Sequence, residues 1–300
     1  MKIIILGKGL VGSALIEHLS HESNYQVIGI GRTECDLRDR IAVERLFISE
    51  KPELVIFAAG VVGGIEKNLS SPSELIMENS RIILSVIESA ISNKIPRFIN
   101  LVPACVYPAN INRRMHPKDL FTAPMENSSL PYSTSKIAGL VMVSTARKEF
   151  GLNWVSLIST NLYGDNYSIQ SHKSHVIPAL MAKFTEAKRN KLSGIELLGD
   201  GSPIREFLHV EDLAIAVDKV IQAEVVQGGV LNIAGTESIS IKNLAETIKE
   251  IVGFEGRIVF RSDGKNGATK KLLDGSEIQE MGWVPSISLR NGLNRILLKI

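Results

Sequence analysis

Apolar residues in the first half of the chain come in short runs, and each run is followed by a stretch with the period of an amphipathic helix. The runs predict strands at 2–6, 26–30, 54–58 and 98–102. The stretches predict helices at 10–19, 38–49, 73–93 and 132–150. Strands of about five residues that alternate with helices are typical of right-handed β-α-β units. The pattern therefore predicts an α/β fold of the Rossmann type, a doubly wound parallel sheet with helices on both faces.

The alternation becomes less regular beyond a strand expected at 154–159, where a loop-rich segment at 160–174 follows. The later elements that we expect are a helix at 175–188, a strand at 195–198, a helix at 211–223, a strand at 230–234, a helix at 241–252 and a helix near residue 289. We assign residues 1–159 to a first domain, with return contributions from about 205–235. Residues 160–204 and 236–300 are expected to form a smaller C-terminal lobe.

Composition narrows the function classes. Lys and Arg number 34 and Asp and Glu 32, so a formal net charge of +2 gives little attraction for nucleic acid or an anionic membrane. No apolar stretch approaches the roughly 20 residues that a membrane-spanning helix needs. Cys35 and Cys105 are the only cysteines, too few for a disulfide framework, and the chain opens on a strand pattern, so we expect a cytoplasmic protein. These features favour small-molecule chemistry.

A glycine motif stands between the first predicted strand and helix, in Gly7-Lys8-Gly9-Leu10-Val11-Gly12. Glycines at this point permit a tight turn and a close approach of the backbone to a pyrophosphate, which the helix N-terminus also attracts. The motif in this context predicts a dinucleotide site, and a chance glycine-rich turn is the alternative.

The end of the second predicted strand indicates which dinucleotide binds. Sites for NAD usually carry Asp or Glu about 20 residues beyond the glycines, whereas Arg32 stands at that point here. A guanidinium suits a 2′-phosphate, so NADP(H) is favoured, with Lys8 as a second cation. The alternative is that Arg32 is a solvated residue at a strand end. Asp36 and Leu37 are candidates for the adenine side.

Tyr132 and Lys136 lie four residues apart in a predicted helix and therefore share one face. Such a pair alone usually means surface packing. In a nucleotide-binding chain it indicates reductase chemistry, because an ammonium beside a phenol stabilises the phenolate and lets the phenol donate a proton to a carbonyl.

Six segments carry a resemblance that runs nearly from end to end of the chain. They are Ala58-Ala-Gly-Val-Val-Gly-Gly-Ile65, Cys105-Val-Tyr-Pro108, Pro131-Tyr-Ser-Thr-Ser-Lys-Ile-Ala-Gly139, Thr160-Asn-Leu-Tyr-Gly164, Ser174-His-Val-Ile-Pro-Ala-Leu180 and Gly201-Ser-Pro-Ile-Arg-Glu-Phe-Leu-His-Val-Glu-Asp212. With these segments the sequence resembles the extended short-chain dehydrogenase/reductase family. The last two narrow the resemblance to the branch that epimerises and reduces nucleotide-linked 4-keto-6-deoxy sugars.

The resemblance implies an NADPH-dependent epimerase and reductase that converts GDP-4-keto-6-deoxymannose to GDP-L-fucose. It assigns proton shuttling at sugar carbons C3 and C5 to Cys105 and His175. Reduction at C4 falls to the Tyr132 phenol as proton donor, with Lys136 also binding the nicotinamide ribose. The alternatives are a small buried hydrophobe for Cys105 and a capping or core residue for His175.

Further binding residues follow from the same resemblance. On the NADP(H) side they are Ala58, Ala59, Asn161 and Leu162. On the nucleotide-sugar side they are Asn161, Lys183, Arg205 and Lys271. The alternative for Lys183 and Lys271 is that they are solvated charges. The family pattern also places a tryptophan where this chain has Leu198, so an aromatic surface for the base is missing.

Pro103 departs from the family pattern, which has a catalytic Ser or Thr at this position. Losing one donor to a developing oxyanion typically costs on the order of a hundredfold in rate. Ser133, Thr134 or a water replaces that donor, or reduction is slow. Two other functions therefore stay open: a 4-reductase without epimerisation that acts on a related nucleotide sugar such as a deoxyheptose, and a catalytically weakened NADP-binding regulatory protein. By family analogy we also expect a homodimer built through helices 73–93 and 132–150.

Overall fold

The computed structural model describes residues 1–165, 175–223, 226–261 and 269–299, apart from the side chains of residues 64–66. In chain order its strands are β1 (Lys2–Leu6), β2 (Gln26–Ile30), β3 (Leu54–Phe57), β4 (Arg97–Pro103), β5 (Asn153–Ser159), β6 (Asn161–Tyr163), β7 (Gly194–Leu198), β8 (Ile204–His209), β9 (Val230–Ile233), β10 (Ser238–Ser240), β11 (Arg257–Arg261) and β12 (Lys270–Lys271). Its α-helices are α1 (Leu10–Ser20), α2 (Arg40–Glu50), α3 (Gly64–Ser70), α4 (Pro72–Ser92), α5 (Leu130–Phe150), α6 (Val176–Arg189), α7 (Val210–Gln222), α8 (Ile241–Val252), α9 (Ser276–Glu280) and α10 (Leu289–Leu298). Each strand and helix predicted from the sequence is present, with bounds that agree to within two residues.

Six parallel strands form the large sheet, in the order β2-β1-β3-β4-β5-β9. The register aligns Leu6 of β1 with Ile30 of β2 and with Phe57 of β3, so these three strands end at one level. The strand order reverses between β1 and β3. In open parallel sheets, ligands bind at the carboxyl ends of the strands next to such a reversal.

The large sheet is covered on both faces, which explains why its strands read as unbroken apolar runs. Ile3 and Ile5 of β1 pack in one buried cluster with residues of α1 and α7. Ile4 and Leu6 pack in a second cluster with residues of α2, α4 and α5. The alternation follows from the two-residue period of a strand, and it confirms the doubly wound fold. Within the described ranges, no helix is both long enough and apolar enough to cross a membrane.

The C-terminal part contains two smaller sheets. Strand β8 lies between β10, which is antiparallel to it, and β12, which is parallel, and it also pairs with β6. Strands β7 and β11 form a parallel pair. Helices α6, α8 and α10 contribute to one buried cluster beside these sheets.

The expected return of the chain to the first domain at about 205–235 stays a prediction, and the first strand of that range lies outside the large sheet. Strand β8 belongs to the small four-stranded sheet, and the segment that returns begins with α7, which packs against α1, and continues with β9 in the large sheet. The reason is that β8 pairs with β10 and β12, both from later in the chain. The remaining domain boundaries stay predictions.

Candidate active site

The glycine loop lies where β1 ends and α1 begins. Gly7 has φ +109°, a conformation that L side chains rarely adopt. A Cβ on Gly12 would lie 1.7 Å from the Gly7 carbonyl oxygen, so α1 approaches the loop more closely than any other residue allows. Leu10 and Val11 form the first turn of α1, whose free N–H groups follow Gly9. A turn of this shape at a helix N-terminus fits the pyrophosphate of a dinucleotide.

The end of β2 carries both cations and a carboxylate. Arg32 is exposed just beyond β2. The Lys8 Nζ atom lies 2.6 Å from Oε1 of Glu34, and the Gly31 N–H donates to the other oxygen of that carboxylate at 2.9 Å. The hydrogen bond from Lys8 lowers the pKa of Glu34 to about 2. Sequence reasoning missed Glu34, although it lies about 20 residues beyond the glycine motif, where an acidic residue is expected in NAD sites.

Asp36 and Leu37 follow on the same side of the sheet. The Asp36 carboxylate accepts from the Arg38 guanidinium at 2.6 Å, and this bond lowers the pKa of Asp36 to about 2. Arg38 also donates to Glu78 at 2.8 Å. The Leu37 side chain is buried in the core. Asp36 is thus a fixed, ionised acceptor beside the expected adenine site.

The residues after β3 connect the glycine loop to α5. A Cβ on Gly7 would lie 3.0 Å from the backbone nitrogen of Ala59, so the loop and the end of β3 are in close contact. The Ala58 N–H donates to the Leu6 carbonyl at 2.9 Å. The Ala59 carbonyl accepts from Lys136 Nζ at 3.2 Å. The predicted cofactor residues of β1, β3 and α5 therefore lie together.

Tyr132 and Lys136 lie in the first two turns of α5. The Lys136 Nζ atom is 5.8 Å from the centre of the Tyr132 ring and 5.5 Å from the centre of the Phe57 ring. Burial lowers the pKa of Lys136 to about 8, and burial raises the pKa of Tyr132 above its usual range. The phenol is therefore protonated at neutral pH and is able to donate a proton.

Cys105 lies in a short 3₁₀ turn directly after β4. Burial raises the pKa of its thiol, and a hydrogen bond with Ser133 and the charges of Lys271 and Lys136 act in the opposite direction. The negative charge of a Cys105 thiolate in turn raises the pKa of Tyr132. The thiol, the phenol and two ammonium groups thus share one site.

The structure separates two of the hydroxyls that are candidates to replace the one missing at Pro103. Ser133 is fully buried, its Oγ lies 3.2 Å from Ser129 Oγ, and it forms a hydrogen bond with the Cys105 thiol. Thr134 donates to the Leu130 carbonyl of its own helix at 2.7 Å. Ser133 is therefore the candidate that lies beside the reactive groups.

His175 is the residue that precedes α6, in agreement with the predicted helix start. Desolvation lowers the pKa of its imidazole, so the neutral, proton-accepting form prevails at neutral pH. Ser174, which opens the family-like segment around His175, lies outside the described residues.

The nucleotide-sugar candidates fall in two places. Lys271 of β12 is opposite Arg205 of β8 in the strand register, and both interact with the Glu126 carboxylate. The Lys271–Glu126 ion pair measures 2.6 Å and is largely buried. Lys183 instead donates to the carbonyl of Glu196. Glu126 is a second site residue that sequence reasoning missed, because nothing along the chain connects it with Lys271.

Two candidates of β6 lie next to this site. The Asn161 side chain donates to the Glu206 carbonyl of β8 at 2.9 Å, and Leu162 packs against the core of the large sheet. Leu198 at the end of β7 is largely exposed, where the family pattern has a tryptophan. Strand β6 therefore connects the small sheet that contains β8 to the core of the large sheet.

A glycine loop beside the strand-order reversal of a doubly wound sheet, together with a Tyr-Lys pair on α5, defines an NADP-dependent oxidoreductase of the extended short-chain dehydrogenase/reductase class. Residues 3–234 match the model of the NAD dependent epimerase/dehydratase family, and the chain belongs to this family.

Three known proteins are similar over nearly their full length. GDP-L-fucose synthase 1 of Arabidopsis thaliana is 38% identical, covering 98% of this chain and 91% of that protein. A GDP-6-OMe-4-keto-L-xylo-heptose reductase from Campylobacter jejuni has a TM-score of 0.92 at 28% identity, covering 99% of this chain and 96% of that one. A GDP-mannoheptose C4 reductase from Campylobacter jejuni, solved with NADP bound, has a TM-score of 0.89 at 29% identity, covering 99% and 97%. These matches confirm the resemblance predicted from the sequence.

Proposed function

We propose that the protein is an NADPH-dependent epimerase and reductase of a GDP-linked 4-keto-6-deoxy sugar, forming GDP-L-fucose from GDP-4-keto-6-deoxymannose. The observation that carries this proposal is the position of the Cys105 thiol, within electrostatic reach of Tyr132, Lys136 and Lys271. A thiol is not needed for reduction alone. Its place beside the reductase pair supports a site that also moves protons on carbon.

Epimerisation uses Cys105 and His175. The ketone at C4 acidifies the hydrogens at C3 and C5, so a neutral imidazole is a sufficient base. His175 accepts the proton from carbon, and the resulting enolate holds its charge on the C4 oxygen. The Cys105 thiol then gives a proton to the opposite face of the carbon, which inverts the centre, and solvent returns both groups to their starting states. The raised pKa of Cys105 keeps that proton available.

Reduction uses Tyr132 and Lys136. NADPH, when bound, supplies the hydride to C4. The Tyr132 phenol gives its proton to the C4 oxygen, and the Lys136 ammonium stabilises the phenolate that is left. Lys8, Arg32 and the glycine loop are proposed to hold the phosphates of the cofactor. Ser133 lies next to Cys105 and is proposed to donate a hydrogen bond to the C4 oxygen, in place of the hydroxyl that is missing at Pro103.

Binding of the diphosphate falls to Arg205 and Lys271, which carry two positive charges on neighbouring strands. Their present partner is Glu126. A guanidinium and an ammonium together suit a diphosphate. Lys183 is proposed as a contact to the nucleotide only after its side chain leaves the Glu196 carbonyl.

The test is a reaction with GDP-4-keto-6-deoxymannose and NADPH in deuterated water. We expect loss of NADPH absorbance and deuterium at C3 and C5 of the product. Cys105→Ser should abolish the inversion of the sugar centres, because it removes the acid on the opposite face, with Cys35→Ser as the matched control because Cys35 is the other cysteine and lies in the core. Tyr132→Phe should keep the exchange and lose the oxidation of NADPH.

Two other functions are outcomes of the same test. Oxidation of NADPH without label supports a 4-reductase, which the similarity to two GDP-heptose reductase structures favours as the second candidate. If no nucleotide ketosugar is turned over and Pro103→Ser restores turnover, the protein is a weakened NADP-binding regulator.

We also propose a cytoplasmic homodimer. Helices α4 and α5 pack together and expose Met77, Leu84 and Val141, a set of apolar side chains that a second copy would cover. Both cysteines are free, as a reducing compartment requires. A monomer mass in light scattering at micromolar concentration would contradict the dimer.

A further inference from the structure

A cluster of three donors surrounds the Glu34 carboxylate at the end of β2. Lys8 Nζ lies 2.6 Å from one oxygen. The Gly31 N–H and the Thr33 hydroxyl donate to the other oxygen at 2.9 and 3.1 Å. An ammonium, a backbone N–H and a hydroxyl that bind the two oxygens of one carboxylate form an anion site. In this structure the anion is a side chain of the protein itself.

Gly31, directly beyond β2, makes room for this cluster. A Cβ on Gly31 would lie 2.8 Å from Glu34 Oε2 and 3.1 Å from Lys8 Cδ. The glycine therefore leaves the space in which the lysine stem meets the carboxylate. Lys8 and Glu34 remain about two-fifths exposed, so an incoming ligand can reach both groups.

The place of the cluster determines what it can bind. In sheets of this kind the adenosine ribose lies at the end of the second strand, where an acidic side chain accepts from the hydroxyls of NAD and a cation binds the 2′-phosphate of NADP. This chain carries both kinds of group at that point: Glu34 is the acidic side chain, and Lys8 and Arg32 are the cations. A 2′-phosphate and the Glu34 carboxylate require the same donors.

We propose that Glu34 is a specificity-determining residue: its carboxylate competes with the 2′-phosphate of NADPH for Lys8 and the Gly31 N–H, and it accepts from the ribose hydroxyls of NADH. The protein therefore binds both cofactors. This inference rests on the proposed dinucleotide site.

The effect of removing the charge follows from the contacts. NADPH binding has to separate Lys8 from Glu34 and to place a phosphate beside a carboxylate that stays ionised. Glu34→Gln removes that competition and that repulsion. NADH loses a charged acceptor for its ribose in the same variant. Hydrogen bonds to charged groups in exposed sites change binding by roughly tenfold at most.

The experiment is a titration of wild type, Glu34→Gln, Lys8→Met and the control Glu17→Gln, an exposed carboxylate on α1, with NADPH and with NADH, followed by nicotinamide fluorescence. Glu34→Gln should bind NADPH about threefold to tenfold more tightly and NADH more weakly, whereas Lys8→Met should weaken NADPH more than NADH. Glu17→Gln should change neither.

Two outcomes separate this inference from the proposed function. If wild type binds NADPH and Glu34→Gln binds it no more tightly, the inference is overturned and the proposed function stands. If wild type and all variants fail to bind NADPH, both are overturned.

Discussion

The protonation of Lys136 should set the alkaline limit of the reductase step. Burial lowers its pKa from 10.5 to about 8, which is equivalent to roughly 3 kcal/mol against the ammonium. Only the ammonium stabilises the phenolate that forms when Tyr132 gives up its proton. About a tenth of the lysine is charged at about pH 9, so the reductase rate there should be about tenfold below its value at neutral pH.

Stability and activity should respond to alkali in opposite directions. The folded pKa of Lys136 lies below the unfolded value, so between about pH 8 and 10.5 the unfolded chain binds more protons than the folded one. From this group alone, the free energy of unfolding therefore rises with pH across that window. Activity that falls in the same window is then not a sign of unfolding.

The assay measures kcat/KM for NADPH oxidation from neutral to alkaline pH. The kcat/KM of wild type should fall as one group, Lys136, loses its proton near pH 8. The Lys136→Arg variant keeps its charge, so whatever activity it retains should show no such fall. Lys148→Met, at an exposed position of the same helix, should follow wild type. A wild-type profile that is flat to about pH 10, or the same fall in Lys136→Arg, would refute the reasoning.

Four substitutions test other parts of the site. Ser133→Ala removes the hydrogen bond that favours the Cys105 thiolate, so alkylation of this thiol at fixed pH should slow by several-fold to about tenfold; an unchanged rate contradicts the contact. Pro103→Ser should raise NADPH oxidation by no more than a few-fold, because Ser133 is proposed to supply the donor already; a gain on the order of a hundredfold would contradict that role of Ser133. A Cβ on Gly12 meets a carbonyl oxygen at 1.7 Å but one on Gly9 meets nothing within 4 Å. Gly12→Ala should therefore lower both the thermal unfolding temperature and NADPH affinity, and Gly9→Ala should lower the affinity alone.

The large sheet could be predicted from the sequence because its strands are buried on both faces and its helices carry a clear period. Strand β8 could not. Its centre is Glu206, a fully buried carboxylate in a segment that reads as polar. The charge is tolerated because Arg114 and the Leu273 N–H bind it at 2.8 and 3.1 Å. Both donors come from distant parts of the chain, so local sequence does not reveal that the segment is a strand.

The site residues likewise divide into those that local sequence predicts and those that only the fold brings together. The spacing of Tyr132 and Lys136 on one helix is a local feature, and their predicted proximity is observed. Glu126 was missed because it is recognised only through Lys271, which the fold brings to it. Glu34 was missed although its spacing from the glycine motif is that of an acidic residue in an NAD site. The raised pKa of Cys105 and its contact with Ser133 likewise depend on how β4 meets α5.

Under the proposed function, the two missed carboxylates explain how a chain with a net charge of +2 would bind two phosphorylated ligands. Lys8 and Lys271 each hold a carboxylate at 2.6 Å in the structure. A phosphate that binds to either lysine exchanges one anion for another, so the site needs no excess of positive charge before the ligand arrives. Balanced composition is therefore compatible with anionic ligands because the cations of the site are already paired within the protein.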